Sequence, residues 1–185
     1  MRFDGNTVLV TGGASGLGGA TTEAIVQNGG NAVILDVNEA AGNALASKLG
    51  NKARFVKTDV TSDADVQRAV DTAVQAFGAV HGAVNAAGIG VAERVVGKEG
   101  PQPLANFTKV IQINLIGTFN VIRLAAAAMA KNEPNEAVSS TSTPASRNAP
   151  CMARITSGRV TTSSSLQPSN WGPPKSSGPR SWVCT

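Results

Sequence analysis

The chain has 185 residues, with sixteen basic and twelve acidic side chains and a formal net charge of +4; that is enough for one domain with a sizeable core, but short for a dinucleotide enzyme carrying its own substrate pocket. No uninterrupted apolar run approaches the roughly 20 residues that span a bilayer, and the sequence opens on a strand pattern rather than a charged and apolar leader, so a membrane or secretory role is not expected. All twelve acids lie between Asp4 and Glu136, so residues 137–185 hold five basic residues and no acid, while residues 1–136 are one charge negative.

From the N-terminus, an apolar run at Thr7 to Val10 predicts a first strand, followed by the loop Thr11-Gly12-Gly13-Ala14-Ser15-Gly16-Leu17-Gly18 and a helix from about Ser15 to Asn28 that ends at Gly29-Gly30. A second run, Ala32 to Leu35, leads into a helix over Asn38 to Leu49, and a third strand is expected at Arg54 to Val56. The next helix is the clearest. Val66, Ala69, Val70, Ala73, Val74 and Phe77 recur at helical spacing, with Ser62 able to cap the start and Gly78 to terminate the end. Val80 to Val84 reads as a fourth strand, with His81, the sole histidine, expected on a surface loop at its entry. A long helix is expected over Ala105 to Lys131, with Ile111, Leu115, Phe119 and Ile122 on one face. Alternating strands and helices predict an α/β fold, a three-layer Rossmann-like parallel sheet of which residues 1–136 form the N-terminal half. Beyond Glu136 the periodicity stops, and residues 137–185, rich in Ser, Thr and Pro, read as a basic, disordered tail without strands.

The glycine-rich loop carries the first functional signal. Gly12, Gly16 and Gly18 follow a strand and precede a helix, so a tight turn, a close backbone approach to pyrophosphate and close helix packing are all available, with free amides and a positive dipole end facing the phosphates. The alternative is a plain tight turn. Asp36 ends the second strand eighteen residues past Gly18, where a carboxylate can accept hydrogen bonds from ribose hydroxyls, although it could also simply cap the next helix. Its negative charge, with no basic residue in the loop or adjacent in sequence, favours NAD over NADP.

With these residues in view, the chain resembles the short-chain dehydrogenases/reductases. The likeness rests on Thr11, Gly12, Gly16 and Gly18, on Asp59-Val60, on the turn Asn85-Ala86-Ala87-Gly88, and on Asn114, in that order over about residues 1–136. Within the family, "TGGASGLG", "AVNAAGIGVA" and "NLIGTFNVIRL" are most similar to type II 3-hydroxyacyl-CoA dehydrogenases, which also act on hydroxysteroids. The resemblance implies NAD contacts at Ser15 and Leu17, at Asp36 on the ribose, at Asp59 and Val60 around adenine, and at Asn85, Ala86 and Gly88 towards the nicotinamide side. It also implies that Asn114 shapes its helix and holds a water in a proton relay; the alternative is a satisfied polar residue in a buried helix. Family members assemble as homo-oligomers, which is doubtful for this chain; the same likeness implies a mitochondrial location, whereas the sequence opens without a visible leader, so the expected location is cytoplasmic or mitochondrial.

Carbonyl reduction needs a proton donor at oxygen while hydride reaches carbon. The family uses a Tyr, a Lys four residues on and a Ser, yet this sequence contains no tyrosine. Trp171 and Lys175 imitate the spacing, but an indole does not titrate near neutrality and Pro173-Pro174 opposes the required helix. None of Ser139, Ser140, Ser146 and Ser157 can be assigned the serine's role, and Cys151 and Cys184 lack metal-ligand spacing. The reading is therefore an NAD-dependent oxidoreductase by descent, acting on a secondary alcohol or ketone only if the C-terminal half were intact, and inactive as written. The alternative is a noncatalytic NAD-binding protein, or an anion or nucleic-acid binder using the basic tail. Five charges over that tail, without an aromatic platform beyond two Trp, make nucleic acid the weaker reading. The abrupt change after Glu136 is expected of a reading-frame shift or an equivalent splice or gene-model error. Translating the coding nucleotides after codon 136 in the other two frames should reveal a strand ending in Ser and then Tyr-x-x-x-Lys; their absence from both frames would refute a shift.

Overall fold

The structure, a computed structural model, describes residues 3–98 and 100–132, together with the backbone of Ser139–Ser140, Ala153–Thr156 and Arg159–Thr162. Strand β1 (Thr7–Thr11) is buried at all five positions, which requires cover on both faces. It pairs in parallel with β2 (Asn31–Asp36) on one side, and β3 (Ala53–Lys57) pairs in parallel beyond β2. On its other side lies β4 (Gly82–Asn85), also parallel, so the sheet order is β3-β2-β1-β4.

Side chains alternate across each strand, and the two faces bury different partners. Leu9, Val33, Leu35 and Val56 pack with Val66, Ala69, Val70 and Ala73 of α3 (Asp63–Phe77) and with Val121 and Ala125 of α5 (Thr118–Met129). Val8, Val10 and Ala32 pack on Ile25 of α1 (Gly16–Gln27). Helix α2 (Glu39–Leu49) covers β2 and β3 on that second side, where a side chain on Gly42 would overlap the Phe55 ring. The expected three layers are thus present. Local chemistry sets the ends of α3 as anticipated, with the Ser62 hydroxyl accepting from the Asp65 amide at 3.3 Å and Gly78 ending the helix with φ +86°, whereas α2 is capped by Asn38, which accepts from the Ala41 amide at 3.1 Å, and not by Asp36.

Four expectations are corrected. The fourth strand starts at Gly82 rather than Val80, and His81, on the loop just before it as expected, is half-buried rather than fully at the surface, its Nδ1 accepting the Thr7 amide at 2.9 Å while its own amide donates to the Thr7 carbonyl at 2.8 Å. The long helix runs continuously over Leu104–Met129, as α4 (Leu104–Ile111), a π-helical turn (Gln112–Gly117) and α5. By length and composition it is apolar enough to cross a membrane, which a search for an uninterrupted apolar run overlooks. Its buried side is Gly117, Thr118, Asn120, Val121 and Ala125, whereas Leu115 and Phe119 are exposed. Small residues on that side let the helix approach closely, and a side chain on Gly117 would collide with Val60.

The fourth correction concerns the tail, where three short strands occur. β7 (Ser139–Ser140) pairs antiparallel with β8 (Ala153–Thr156), which pairs with β9 (Arg159–Thr162); a two-stranded ribbon, β5 (Val96–Gly97) with β6 (Gly100–Pro101), lies earlier in the chain. The remainder of 137–185, including Cys151, Cys184, Trp171 and Lys175, lies outside the described residues.

Burial holds the His81 imidazole below its ordinary pKa. A depressed pKa means that its contribution is complete above the unfolded value of about 6.5 and is lost as pH falls through the folded value. Protonation also removes the acceptor for the Thr7 amide. His81→Ala should therefore lower unfolding free energy by about 1–3 kcal/mol at pH 7.5, and wild type should converge towards the variant between pH 7 and 5, measured by urea denaturation at each pH.

Candidate functional site

Parallel sheets open a crevice where chains leave neighbouring strands in opposite directions, beyond their carboxyl ends. Here that point lies between β1 and β4. The Thr11 hydroxyl, 1% exposed, accepts from the Ala86 and Ala87 amides at 3.1 Å each, so the bases of the two outgoing loops are tied together. A cavity of about 500 Å³ opens above this tie.

Ten of the expected residues line it: Gly12, Ser15, Gly16, Leu17, Gly18, Asp36, Asp59, Val60, Ala86 and Gly88. Gly12 and Gly16 have φ of +61° and +54°, where L side chains are strained. A side chain on Gly12 would press on the Ala86–Ala87 peptide, and one on Gly18 would overlap the Gly12 carbonyl. At Gly16, by contrast, nothing lies within 4 Å, so the loop is open at that point. Helix α1 begins there, and Ser15 makes no side-chain cap bond, leaving its hydroxyl and the first-turn amides to an anion. These glycines form a cradle whose shape depends on having no Cβ.

The opposite walls are tied by part-buried and exposed polar bonds. Asp36 accepts from the Ala14 amide through Oδ2 at 3.1 Å and from the Asn38 amide through Oδ1 at 2.9 Å, fixing its carboxylate beside the loop. Asp59 Oδ1 accepts from the Thr61 amide and hydroxyl, at 2.9 and 2.7 Å. The Asp59 amide donates to Asp65 Oδ2 at 3.0 Å; this bond, opposed by burial and assisted by Arg68, holds the Asp65 carboxyl below its ordinary range. Leu17 and Val37 are apolar yet 86% and 66% exposed at the cavity, surface that a bound aromatic or ribosyl group could cover.

Two expected residues stand apart from the lining. Asn85 closes β4 at 2% exposure, with no hydrogen-bond partner for its side-chain atoms among the described residues. Asn114 sits on the π-helical turn, and its amide forms two bonds with Ile89: Oδ1 accepts from the amide at 2.9 Å and Nδ2 donates to the carbonyl at 2.8 Å. It thereby fastens a wall residue. Sequence reasoning missed Leu35, Val37, Thr58, Ala87, Ile89 and Ile113, all in the lining and all near motif residues. It also missed Lys57, which pairs with Asp36 across β2 and β3 and whose ammonium lies 3.4 Å from Glu39.

Because the Gly12 carbonyl that a Gly18 side chain would strike belongs to the loop backbone, relaxation must deform the loop. Gly18→Ala should lower stability by about 1–3 kcal/mol and abolish anion binding at the cavity. Thr11→Val, which removes the hydroxyl acceptor from the Ala87 amide and leaves the Ala86 amide only the Thr11 carbonyl, should weaken ligand binding while the fold persists; thermal shift and ligand titration on both variants check this.

The family model described as short chain dehydrogenase matches residues 6–160, reaching beyond the expected limit near 136. The chain is 49% identical over 134 residues to 3-hydroxyacyl-CoA dehydrogenase type-2 of Bos taurus and 48% identical over 134 residues to that of Homo sapiens, in each case covering 71% of this chain and 51% of the relative. A crystal structure of 3-hydroxyacyl-CoA dehydrogenase type-2 from Mycobacterium avium superposes with a TM-score of 0.69 at 44% identity, covering 73% of this chain and 54% of that one. The chain thus spans about half the length of the curated relatives it matches. Its glycine cradle, its parallel sheet and these matches together make it a member of the short-chain dehydrogenase family.

Proposed function

We propose that the cavity binds NAD, and that this chain is the cofactor-binding part of an oxidoreductase that moves hydride between NAD and a secondary alcohol or ketone such as a 3-hydroxyacyl-CoA or a hydroxysteroid. One observation carries the reading: the glycine cradle at the start of α1 and the Asp36 carboxylate face the same cavity of about 500 Å³. The pyrophosphate would rest on the first-turn amides of α1 and the Ser15 hydroxyl, and the adenosine ribose on Asp36. Beyond the ribose, adenine would lie against Val37, Asp59 and Val60, leaving the nicotinamide towards Ala86, Gly88 and Ile89. NAD, when bound, supplies the hydride acceptor.

What this chain's residues do is hold and orient. Asp36, already engaged by two loop amides, has further lone pairs for ribose hydroxyls and repels a 2′-phosphate. Lys57 beside it is turned to Glu39 in an exposed pair, which contributes little and leaves Asp36 to set the preference. Asn114 orients the Ile89 side of the cavity. Proton transfer at a substrate oxygen requires a group absent from the sequence, since it contains no tyrosine. The residues present therefore support cofactor binding without turnover.

Titration followed by NADH fluorescence should show saturable binding tighter than that of NADPH, with no oxidation of a 3-hydroxyacyl-CoA in the presence of NAD. Asp36→Ala should narrow the NADH preference about tenfold, equivalent to about 1.4 kcal/mol, because the carboxylate that repels a 2′-phosphate is then gone. Failure of the unaltered protein to bind NADH would sink the cofactor reading; measurable turnover would sink the claim of inactivity.

A further inference from the structure

Asn120 is 4% exposed, on the side of α5 that faces the sheet. A buried amide is unfavourable unless its donors and acceptor are matched, and here both ends are used. Nδ2 donates to the Val60 carbonyl at 2.9 Å, and Oδ1 accepts from Arg123 Nε and Nη2 at 3.1 and 2.8 Å. Arg123 in turn ion-pairs with Asp63 at the start of α3. One residue therefore joins α5, through Arg123, to α3 and to the cavity wall.

The attachment point matters because Val60 follows Asp59, and both line the cavity. Asp59 is already held on its amide by Asp65 and on its carbonyl by the Ser62 amide, at 3.0 Å each. Gly117, one turn before Asn120, brings α5 so close that a side chain there would strike Val60. The Val60 carbonyl is a further tether of this stretch, and Asn120 supplies its donor. With Asp59 Oδ1 committed to Thr61, the carboxylate offers Oδ2 lone pairs, which suit a ligand N–H and oppose a ligand carbonyl.

Resting on the reading of this cavity as a dinucleotide site, we propose that Asn120 is a positioning residue for base selection: by holding the Val60 carbonyl, it keeps the Asp59–Val60 wall where it accepts a 6-amino purine and rejects a 6-oxo purine. Sites that hydrogen-bond a ligand N–H discriminate against analogues lacking it far more strongly than apolar pockets discriminate by size. The selectivity is lost when the wall can shift, even if the fold persists.

The test compares dissociation constants for NADH and reduced nicotinamide hypoxanthine dinucleotide, whose base carries oxygen in place of the amino group. Their ratio is independent of the folded fraction, so simple destabilisation does not alter it. The wild type should favour NADH at least tenfold. Asn120→Leu, which keeps the volume and removes the donor, should bring the ratio to within about twofold of unity, and Arg123→Gln, which frees the amide to rotate, should give an intermediate ratio. A wild-type ratio near one, or a ratio unchanged in both variants, overturns the proposal while leaving the cofactor site intact. If Asn120→Leu does not fold, an unchanged ratio in Arg123→Gln overturns it alone. Wild type that binds neither dinucleotide defeats the cavity reading, and this proposal with it.

Discussion

The two hydrogen bonds that the Thr11 hydroxyl accepts from the Ala86 and Ala87 amides set the geometry on which the site depends. At this point the chain leaving β1 turns towards α1, while the chain leaving β4 continues through the loop that Asn114 fastens. Two diverging loops would otherwise splay or collapse. The hydroxyl joins them at the base of the crevice without filling it, and a bare Gly12 leaves room for the Ala86–Ala87 peptide. Because the contact involves backbone on one side, the spacing depends on chain geometry rather than on a movable side chain.

From that base the cavity walls are supported in one manner throughout: side chains hold backbone. Asp36 holds Ala14, Asp65 holds Asp59, Asn114 holds Ile89 and Asn120 holds Val60. Backbone groups withdrawn from water need partners, and loops at the end of a sheet cannot find them in a ladder. Short polar side chains provide them while leaving the cavity open. The long helix contributes both asparagines, with the π-helical turn carrying Asn114 and small residues bringing α5 against Val60. Its Leu115 and Phe119 remain exposed, so the helix that supplies two of these ties also leaves part of its apolar surface uncovered.

Much of this was legible in the sequence for identifiable reasons. Alternating apolar runs predicted the four strands to within about two residues, because burial on both faces of a parallel sheet demands continuous apolar stretches. Ser62 and Gly78 marked α3 through cap chemistry that acts over three or four residues. The glycines at 12, 16 and 18 located the cradle because only glycine suits those conformations and approaches. The tie of the loop residue His81 to Thr7 was not legible because a half-buried acceptor of a distant amide has no local signature. The face of the long helix was misassigned because the stripe of large residues is not the one that packs, and the paired strands β8 and β9 were missed because their composition is largely polar.

The sequence by itself determined the fold class, the place of the cradle, the carboxylate at the end of β2 and the lack of a tyrosine, since each is a matter of residue type and near-neighbour spacing. Only the tertiary structure decided which polar side chains hold the walls. The Thr11 contact with Ala86 joins positions 75 residues apart, that of Asn120 with Val60 joins positions 60 apart, and that of Asn114 with Ile89 joins positions 25 apart. It also set Lys57 beside Asp36 through strand register. Hydrogen bonds act over about 3 Å, and no periodicity along a chain encodes which distant groups folding will bring within that distance.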